Sequence, residues 1–156
     1  MKLLVVFYSR TGTTKRVGEA ISQALNCDSE ELIDEKKRSG PLGFVRSIRD
    51  ARAKSLTTLA ELKHDPASYD LVITGTPVWG GTMSSAVRTY IINNKAKFKR
   101  VAFFCTQGGA KNYPLFDEME ALCEQRPVST LTIRQREAKA EGSQEKIRQF
   151  VDRLKQ

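Results

Sequence analysis

Apolar residues follow two rhythms along this chain. Leu3-Leu4-Val5-Val6-Phe7-Tyr8 is an unbroken, partly β-branched run, the pattern of a strand covered on both faces. After a short polar stretch, Val17, Ala20, Ile21, Ala24 and Leu25 recur at i, i+3, i+4, i+7 and i+8, one face of an α-helix that begins near Thr13 or Thr14. Further on, Glu30 to Ile33 predicts a short second strand and Ser39-Gly40-Pro41-Leu42-Gly43 a turn. Phe44 to Leu62 reads as irregular helix, and Asp65-Pro66 opens a connection into Asp70-Leu71-Val72-Ile73-Thr74, a third strand of buried character. A helix from about Ser84 to Ile92, a strand at Val101-Ala102-Phe103-Phe104-Cys105, a helix over Leu115 to Cys123 and a strand at Val128 to Ile133 follow. The final helix carries Ile147, Val151 and Leu154 on one face with Phe150 between them. Buried strands alternating with helices predict an α/β protein whose parallel sheet is wrapped on both sides. At 156 residues, a single domain over 1–156 with a sizeable core is expected.

The polar stretch between the first strand and its helix is Ser9-Arg10-Thr11-Gly12-Thr13-Thr14. It lies at a helix N-terminus, where unpaired backbone N–H groups and the positive end of the helix dipole favour a phosphate dianion. Ser and Thr hydroxyls would donate further hydrogen bonds, and Arg10 a charge-assisted one. A plainer reading stands beside it, because Ser and Thr are ordinary N-caps that bind their own backbone. No Gly-x-x-x-x-Gly-Lys-Ser/Thr and no Gly-x-Gly-x-x-Gly is present.

In doubly wound sheets ligands gather at the carboxyl ends of the strands, near the switch in strand order. Three loops should meet there: the turn after Tyr8, Gly75-Thr76-Pro77-Val78-Trp79-Gly80-Gly81-Thr82, and Thr106-Gln107-Gly108-Gly109-Ala110. The one Trp of the chain and two Gly-Gly pairs fall in them. Trp79 in such a loop either caps a core or stacks on a flat ring, with glycine leaving room for close backbone approach.

Charge and composition narrow the field. No apolar stretch approaches the ~20 residues of a membrane span, and no cleavage-like segment follows the N-terminal run, so a cytoplasmic protein is expected. Cys27, Cys105 and Cys123 show no Cys-x-x-Cys pairing, and with His64 as the one histidine no zinc set forms. Free thiols and no metal are expected, with His64 structural or at the surface. The net charge is +8, and Lys36, Lys37, Arg38, Arg46, Arg49, Arg52 and Lys54 outnumber Glu35 and Asp50 in one segment. Lys95, Lys97, Lys99 and Arg100 form a second cluster. Such surfaces steer acidic partners, nucleic acid or anionic membranes, or are merely solvated. No aromatic interleaving or nucleic-acid motif accompanies them, so nucleic acid is not an expected partner.

Over nearly its full length the chain resembles the flavodoxin family. Ser9-Arg10-Thr11-Gly12-Thr13-Thr14 matches that family's Ser/Thr-x-Thr-Gly-x-Thr phosphate loop. Thr76-Pro77-Val78-Trp79-Gly80-Gly81 is similar to the loop that flanks the flavin after the third strand, and Cys105-Thr106-Gln107-Gly108-Gly109 occupies the place of the loop that closes on its other side. The resemblance implies flavin mononucleotide (FMN) as cofactor and a flavodoxin-like, three-layer, doubly wound five-stranded parallel sheet of order 2-1-3-4-5. It also implies roles: Ser9 to Thr14 on the phosphate, Trp79 stacked on the isoalloxazine, the Gly80-Gly81 peptide facing flavin N5, and Thr106 to Gly109 at the pyrimidine edge. The protein then sets the flavin's orientation and electronics, with no catalytic side chain required.

Gly81 and Gln107 stand where acidic residues are common in the family, and the chain is basic. An anionic reduced ring is favoured by positive neighbours and disfavoured by negative ones, so the second reduction is expected to be easier and the one-electron-reduced flavin to accumulate less than in an acidic flavodoxin. Ala110 stands near the usual place of a second stacking aromatic, with Tyr113 several residues on, which predicts an open ring face. The basic segment Ser39 to Lys54 has no counterpart in short flavodoxins and would cover the site or dock a partner. The leading function is electron transfer, with a redox partner protein or a small acceptor such as a quinone. An NAD(P)H-dependent FMN or quinone reductase and a flavin-free binding module are the alternatives. A phosphatase is disfavoured because Cys105 and Lys111 give the Cys-(x)5-Arg spacing with Lys for Arg. A receiver domain is disfavoured because Ser9 and Thr76 stand where carboxylates are needed.

Overall fold

The structure is a computed structural model and describes all residues, Met1 to Gln156. Five strands lie parallel: β1 (Leu3–Phe7), β2 (Asp28–Glu31), β3 (Leu71–Trp79), β5 (Val101–Gln107) and β6 (Thr130–Arg134), in the order β2-β1-β3-β5-β6. Counting parallel strands alone, this is the expected 2-1-3-4-5. A sixth, β4 (Thr82–Met83), pairs antiparallel with the end of β3. The strand period of two sorts β1 cleanly: Leu3, Val5 and Phe7 pack with α1 (Thr13–Leu25) and α5 (Glu141–Leu154), while Leu4, Val6 and Tyr8 face the opposite core. That second core holds Tyr90 of α3 (Ser85–Asn94), Met119 of α4 (Leu115–Cys123) and Ala51 of α2 (Gly40–Arg52). Ile147, Phe150, Val151 and Leu154 are all buried, as their spacing predicts.

Several element boundaries differ from expectation, the larger differences each for a local reason. The expected turn at Ser39 to Gly43 is instead the start of α2, with Pro41 in its first turn, where a missing N–H costs nothing. Of the residues expected as helix after Arg52, Ala53 and Lys54 form a turn, Lys54 at φ 55°, and 55–62 is not helical: Glu35 N–H donates to Thr58 O at 2.9 Å and Ala60 N–H to Ile33 O at 2.9 Å. The second strand comes earlier than Glu30 to Ile33 because its pairing with β1 uses the polar Asp28-Ser29-Glu30-Glu31. Glu30 is buried there, its carboxylate accepting Lys63 N–H at 2.6 Å and His64 N–H at 2.9 Å. This gives His64 a structural place, its Nδ1 lying 3.3 Å from the same oxygen. Finally, β3 runs on to Trp79 and β5 to Gln107, through residues expected as loop, because their mutual pairing extends to Pro77↔Thr106, β4 pairs with Val78 and Trp79, and β6 pairs with Gln107.

A buried ion network anchors α2. The Arg38 guanidinium donates to Asp34 at 2.6 Å and to Asp50 at 3.1 Å, and Lys36 Nζ reaches Asp50 at 2.6 Å. Asp34 also accepts the Thr57 hydroxyl at 2.6 Å. Burial alone would raise the Asp50 carboxyl, but the hydrogen bonds and charges of Lys36 and Arg38 outweigh it and hold it below the usual carboxylate range. A carboxylate with a depressed pKa stabilises the fold above its unfolded value of about 3.9 and loses that contribution as pH falls through its folded value. The stability gap between the native chain and Asp50→Asn in urea titrations should therefore be constant near neutral pH and shrink below about pH 4. Arg38→Met, which leaves Asp34 and Asp50 short of a partner, should cost about 3–5 kcal/mol by the same measurement.

Candidate functional site

The carboxyl ends of β1, β3 and β5 open into one cleft of about 360 Å³. Its walls include Ser9, Arg10, Thr11, Thr13 and Thr14 from the first turn, Pro77, Val78 and Trp79 from β3, and Thr106, Gln107 and Gly108 from β5 and its loop. The three segments singled out in the sequence thus meet. Gly12, Thr76, Gly80, Gly81, Cys105 and Gly109 do not line it. Thr76 and Cys105 point into the protein, Thr76 bound to Ser84 and Cys105 facing Thr132 at 3.5 Å. Burial pushes the Cys105 thiol up to about 11, against a small opposing effect of the Thr132 hydrogen bond, so the cysteine is no thiolate nucleophile near neutral pH and the phosphatase reading has no chemical basis.

The first turn combines both readings of its hydroxyls. Ser9 Oγ accepts the Gly12 N–H at 3.0 Å, a turn-forming bond that leaves the Ser9 proton free to donate. Gly12 holds φ +103°, a left-handed value that glycine adopts without steric cost. It precedes α1 without any side-chain cap, and the first helical turn holds no acidic residue. The N–H groups of Thr13 and Thr14 find no acceptor within the chain, while Arg16 N–H donates to Gly12 O at 3.0 Å to begin the helical ladder. Thr14 and Thr106 share a buried hydroxyl–hydroxyl bond of 2.7 Å, which ties the first turn to the β5 loop.

Arg10 is placed differently from expectation. Its guanidinium donates to the carbonyls of Arg38 at 2.7 Å and Gly40 at 3.0 Å and lies 5.5 Å from the Phe44 ring centre. It therefore supports the start of α2 as well as lining the cleft. No carboxylate lines the cleft. Gln107, where an acid is common in flavodoxins, donates its amide to the carbonyls of Gly109 at 3.0 Å and Lys111 at 3.1 Å, folding the loop on itself.

Trp79 is 7% exposed. Tyr8 meets it edge-on with ring centres 5.4 Å apart, and the Arg38 guanidinium covers one face at 5.6 Å. Burial and the Asp34 charge push the Tyr8 hydroxyl up to about 12, so it is a neutral donor. Gly80 and Gly81 form the two-residue turn of the β3–β4 hairpin, with φ of 59° and 86°, the signs a type I′ turn requires. Over that turn sits Tyr113, whose ring would meet a Cβ at Gly81 at 2.8 Å. The loop lacks an aromatic at Ala110, yet Tyr113 reaches the hairpin from farther along. Two cleft residues have no sequence signal of their own: Phe44 of α2 and Gln135, which follows β6. Both arrive through tertiary placement of elements distant from the motifs.

No protein-family model matches the chain. Among solved structures, a flavoprotein from Lactobacillus acidophilus in complex with FMN is 19% identical, covering 84% of this chain and 92% of that one with a TM-score of 0.70. A candidate flavoprotein from Bacteroides uniformis is 21% identical over 97% of both chains, with a TM-score of 0.77. Oxidised flavodoxin 2 from Bacillus cereus is 18% identical, covering 99% of this chain and 98% of that one, with a TM-score of 0.63. With its parallel strand order, its helices on both sheet faces and these neighbours, the chain has a flavodoxin-like fold.

Proposed function

We propose that this protein binds FMN and acts in electron transfer. The observation that carries the reading is the first turn: Thr13 and Thr14, whose amides are unpaired within the chain, line the same cleft as Trp79 and the Thr106 to Gly108 loop. A phosphate dianion suits those donors and the helix dipole, and a flat ring suits a cleft walled by Pro77, Val78, Trp79 and Phe44. The FMN complex of the Lactobacillus acidophilus flavoprotein, a structure of the same fold, supports the choice of cofactor.

FMN when bound would supply reversible one- and two-electron chemistry. The chain's own part is positional and electrostatic. Ser9, Thr11, Thr13 and Thr14 would hold the phosphate, while the Thr14–Thr106 bond keeps the phosphate end and the ring end of the cleft in fixed relation. Arg38, held behind Trp79 by Asp34 and Asp50, fixes the indole. The cleft offers no carboxylate, histidine or cysteine that would act as acid, base or nucleophile, which favours electron transfer over side-chain catalysis. Among acceptors, a redox protein fits this account, and a quinone remains the small-molecule candidate.

A reductase reading draws on one feature. Arg16 and Lys139 border the outer side of the phosphate turn, a cationic resting place for the phosphates of NAD(P)H. Anaerobic addition of NADPH separates the two: a carrier keeps its oxidised flavin spectrum until a reductase is added, whereas bleaching within seconds would assign hydride transfer to the protein itself.

Thr13→Glu tests the phosphate site. A carboxylate at the first helical position suits the helix dipole and keeps the fold, but it repels a phosphate. FMN affinity should fall roughly 100-fold, about 2.7 kcal/mol, while riboflavin, which lacks the phosphate, should bind the variant and the native chain alike in fluorescence titrations. Equal loss for both flavins would place the phosphate elsewhere.

A further inference from the structure

The helix α2 is amphipathic in reverse. Its inward face is Gly43, Ser47, Asp50 and Ala51, small or ion-paired residues that let it lie close against the loop at Arg38. Its outward face carries Leu42 at 72% exposure and Val45 at 61%, with Phe44 at 49% on its flank. Between them stand Arg46, Arg49 and Arg52, all exposed. The one acidic residue of the helix, Asp50, is turned inward onto Arg38 and Lys36, with exposed Arg49 reaching its other oxygen only at 3.9 Å. The exposed face is therefore apolar and positive with no negative charge of its own. Exposed apolar side chains gathered on one element mark an interaction surface.

We propose that this face docks an acidic electron-carrying protein whose carboxylates surround an apolar centre. The redox character of that partner rests on the FMN reading; the acidic character rests on α2 itself. Three features select the occupant. Two copies of the chain meeting across a twofold axis would set arginine against arginine, which disfavours self-association. A helix built for a bilayer segregates its apolar face from its basic one, whereas here Arg49 falls between Leu42 and Val45 on the helix surface, at i+7 of one and i+4 of the other. The cations are all arginine, whose planar fork matches carboxylates in pairs and which is enriched in protein interfaces where lysine is depleted.

Location adds to composition. Phe44 lines the cleft from this helix, and the Arg52 side chain lies against Gly80 of the β3–β4 hairpin, within 2.8 Å of where a Cβ would stand. A protein seated on α2 would lie beside the cleft mouth, where electrons would enter or leave the cofactor. The helix has 13 residues and spans about 20 Å, so the contact belongs to the small interfaces of transient redox encounters.

The test titrates an oxidised, acidic [2Fe–2S] ferredoxin into isotope-labelled, FMN-supplied protein and follows backbone amide shifts. The expected result is saturable shifts confined to residues 41–53 and the hairpin at 79–82. Arg46→Glu combined with Arg49→Glu should weaken binding about tenfold or more, as should raising salt from about 50 to about 200 mM. Arg100→Glu combined with Arg126→Glu, the same charge change in the loops preceding β5 and β6, should have no such effect. Val45→Ser, which keeps the charge, should weaken binding as well. Shifts elsewhere, no shifts, or equal loss from the two charge pairs would overturn the proposal. So would co-sedimentation with phosphatidylglycerol-rich vesicles that only the Arg46/Arg49 variant loses, which would make the face a lipid-binding one, or a concentration-dependent dimer through α2. Flavin retention is read on the same samples by fluorescence quenching. Retained flavin without docking would sink the surface and leave the FMN reading intact; docking without flavin would keep the acidic partner and remove its redox role.

Discussion

The amides of Thr13 and Thr14 cannot be satisfied by the helix they begin, because the residues that would accept from them lie in a turn that leads away from the helix axis. That constraint organises the candidate site. A helix N-terminus must be capped by a side chain, by water or by a ligand, and here the residue at the cap is glycine, while Ser9 spends its oxygen on Gly12. Thr13 and Thr14, with their unpaired donors, line a cleft at the end of a buried strand whose side chains hold the turn in place. Since β1 pairs with β2 on one side and β3 on the other, the turn falls at the point where the strand order reverses. There the flanking helices diverge and leave a crevice.

A second constraint shapes the opposite wall. Arg38 is buried with two carboxylates and lies over Trp79. Burying a charge is expensive unless it is paired, so Asp34, Asp50 and Lys36 form a set that stands or falls together, and this set fixes both the start of α2 and the indole. The arrangement also explains why a strongly basic segment folds at all. Its inner charges are neutralised within the network, and the remaining arginines are left to solvent on the outer face of α2.

Much of this was legible in residue order. The unbroken strand Leu3 to Phe7, the period of α1 and the buried face of α5 needed nothing beyond spacing, and the three loops that build the cleft could be named from their position after strands. What escaped had physical reasons. The polar β2 gives no hydrophobic signal because it is an edge strand held by main-chain pairing with β1. Gly40 and Pro41 read as a turn, since nothing local distinguishes a proline that breaks a helix from one that starts it. Trp79 reads either as the cap of a core or as the stacking partner of a flat ring, and spacing does not reveal that Arg38, distant in sequence, covers one of its faces. Arg10 reads as an anion ligand, but two carbonyls at the start of α2 claim its guanidinium. Phe44, Gln135 and Tyr113 reach the site or its rim through packing between elements, which spacing within one segment does not encode.

Trp79 is the single tryptophan of the chain and lines the cleft, so its emission reports directly on whether a flavin enters. FMN titrated into flavin-free protein should quench Trp79 emission saturably, with the break at one flavin per chain. Unchanged Trp79 emission, with no flavin retained after gel filtration, would contradict the account at its centre.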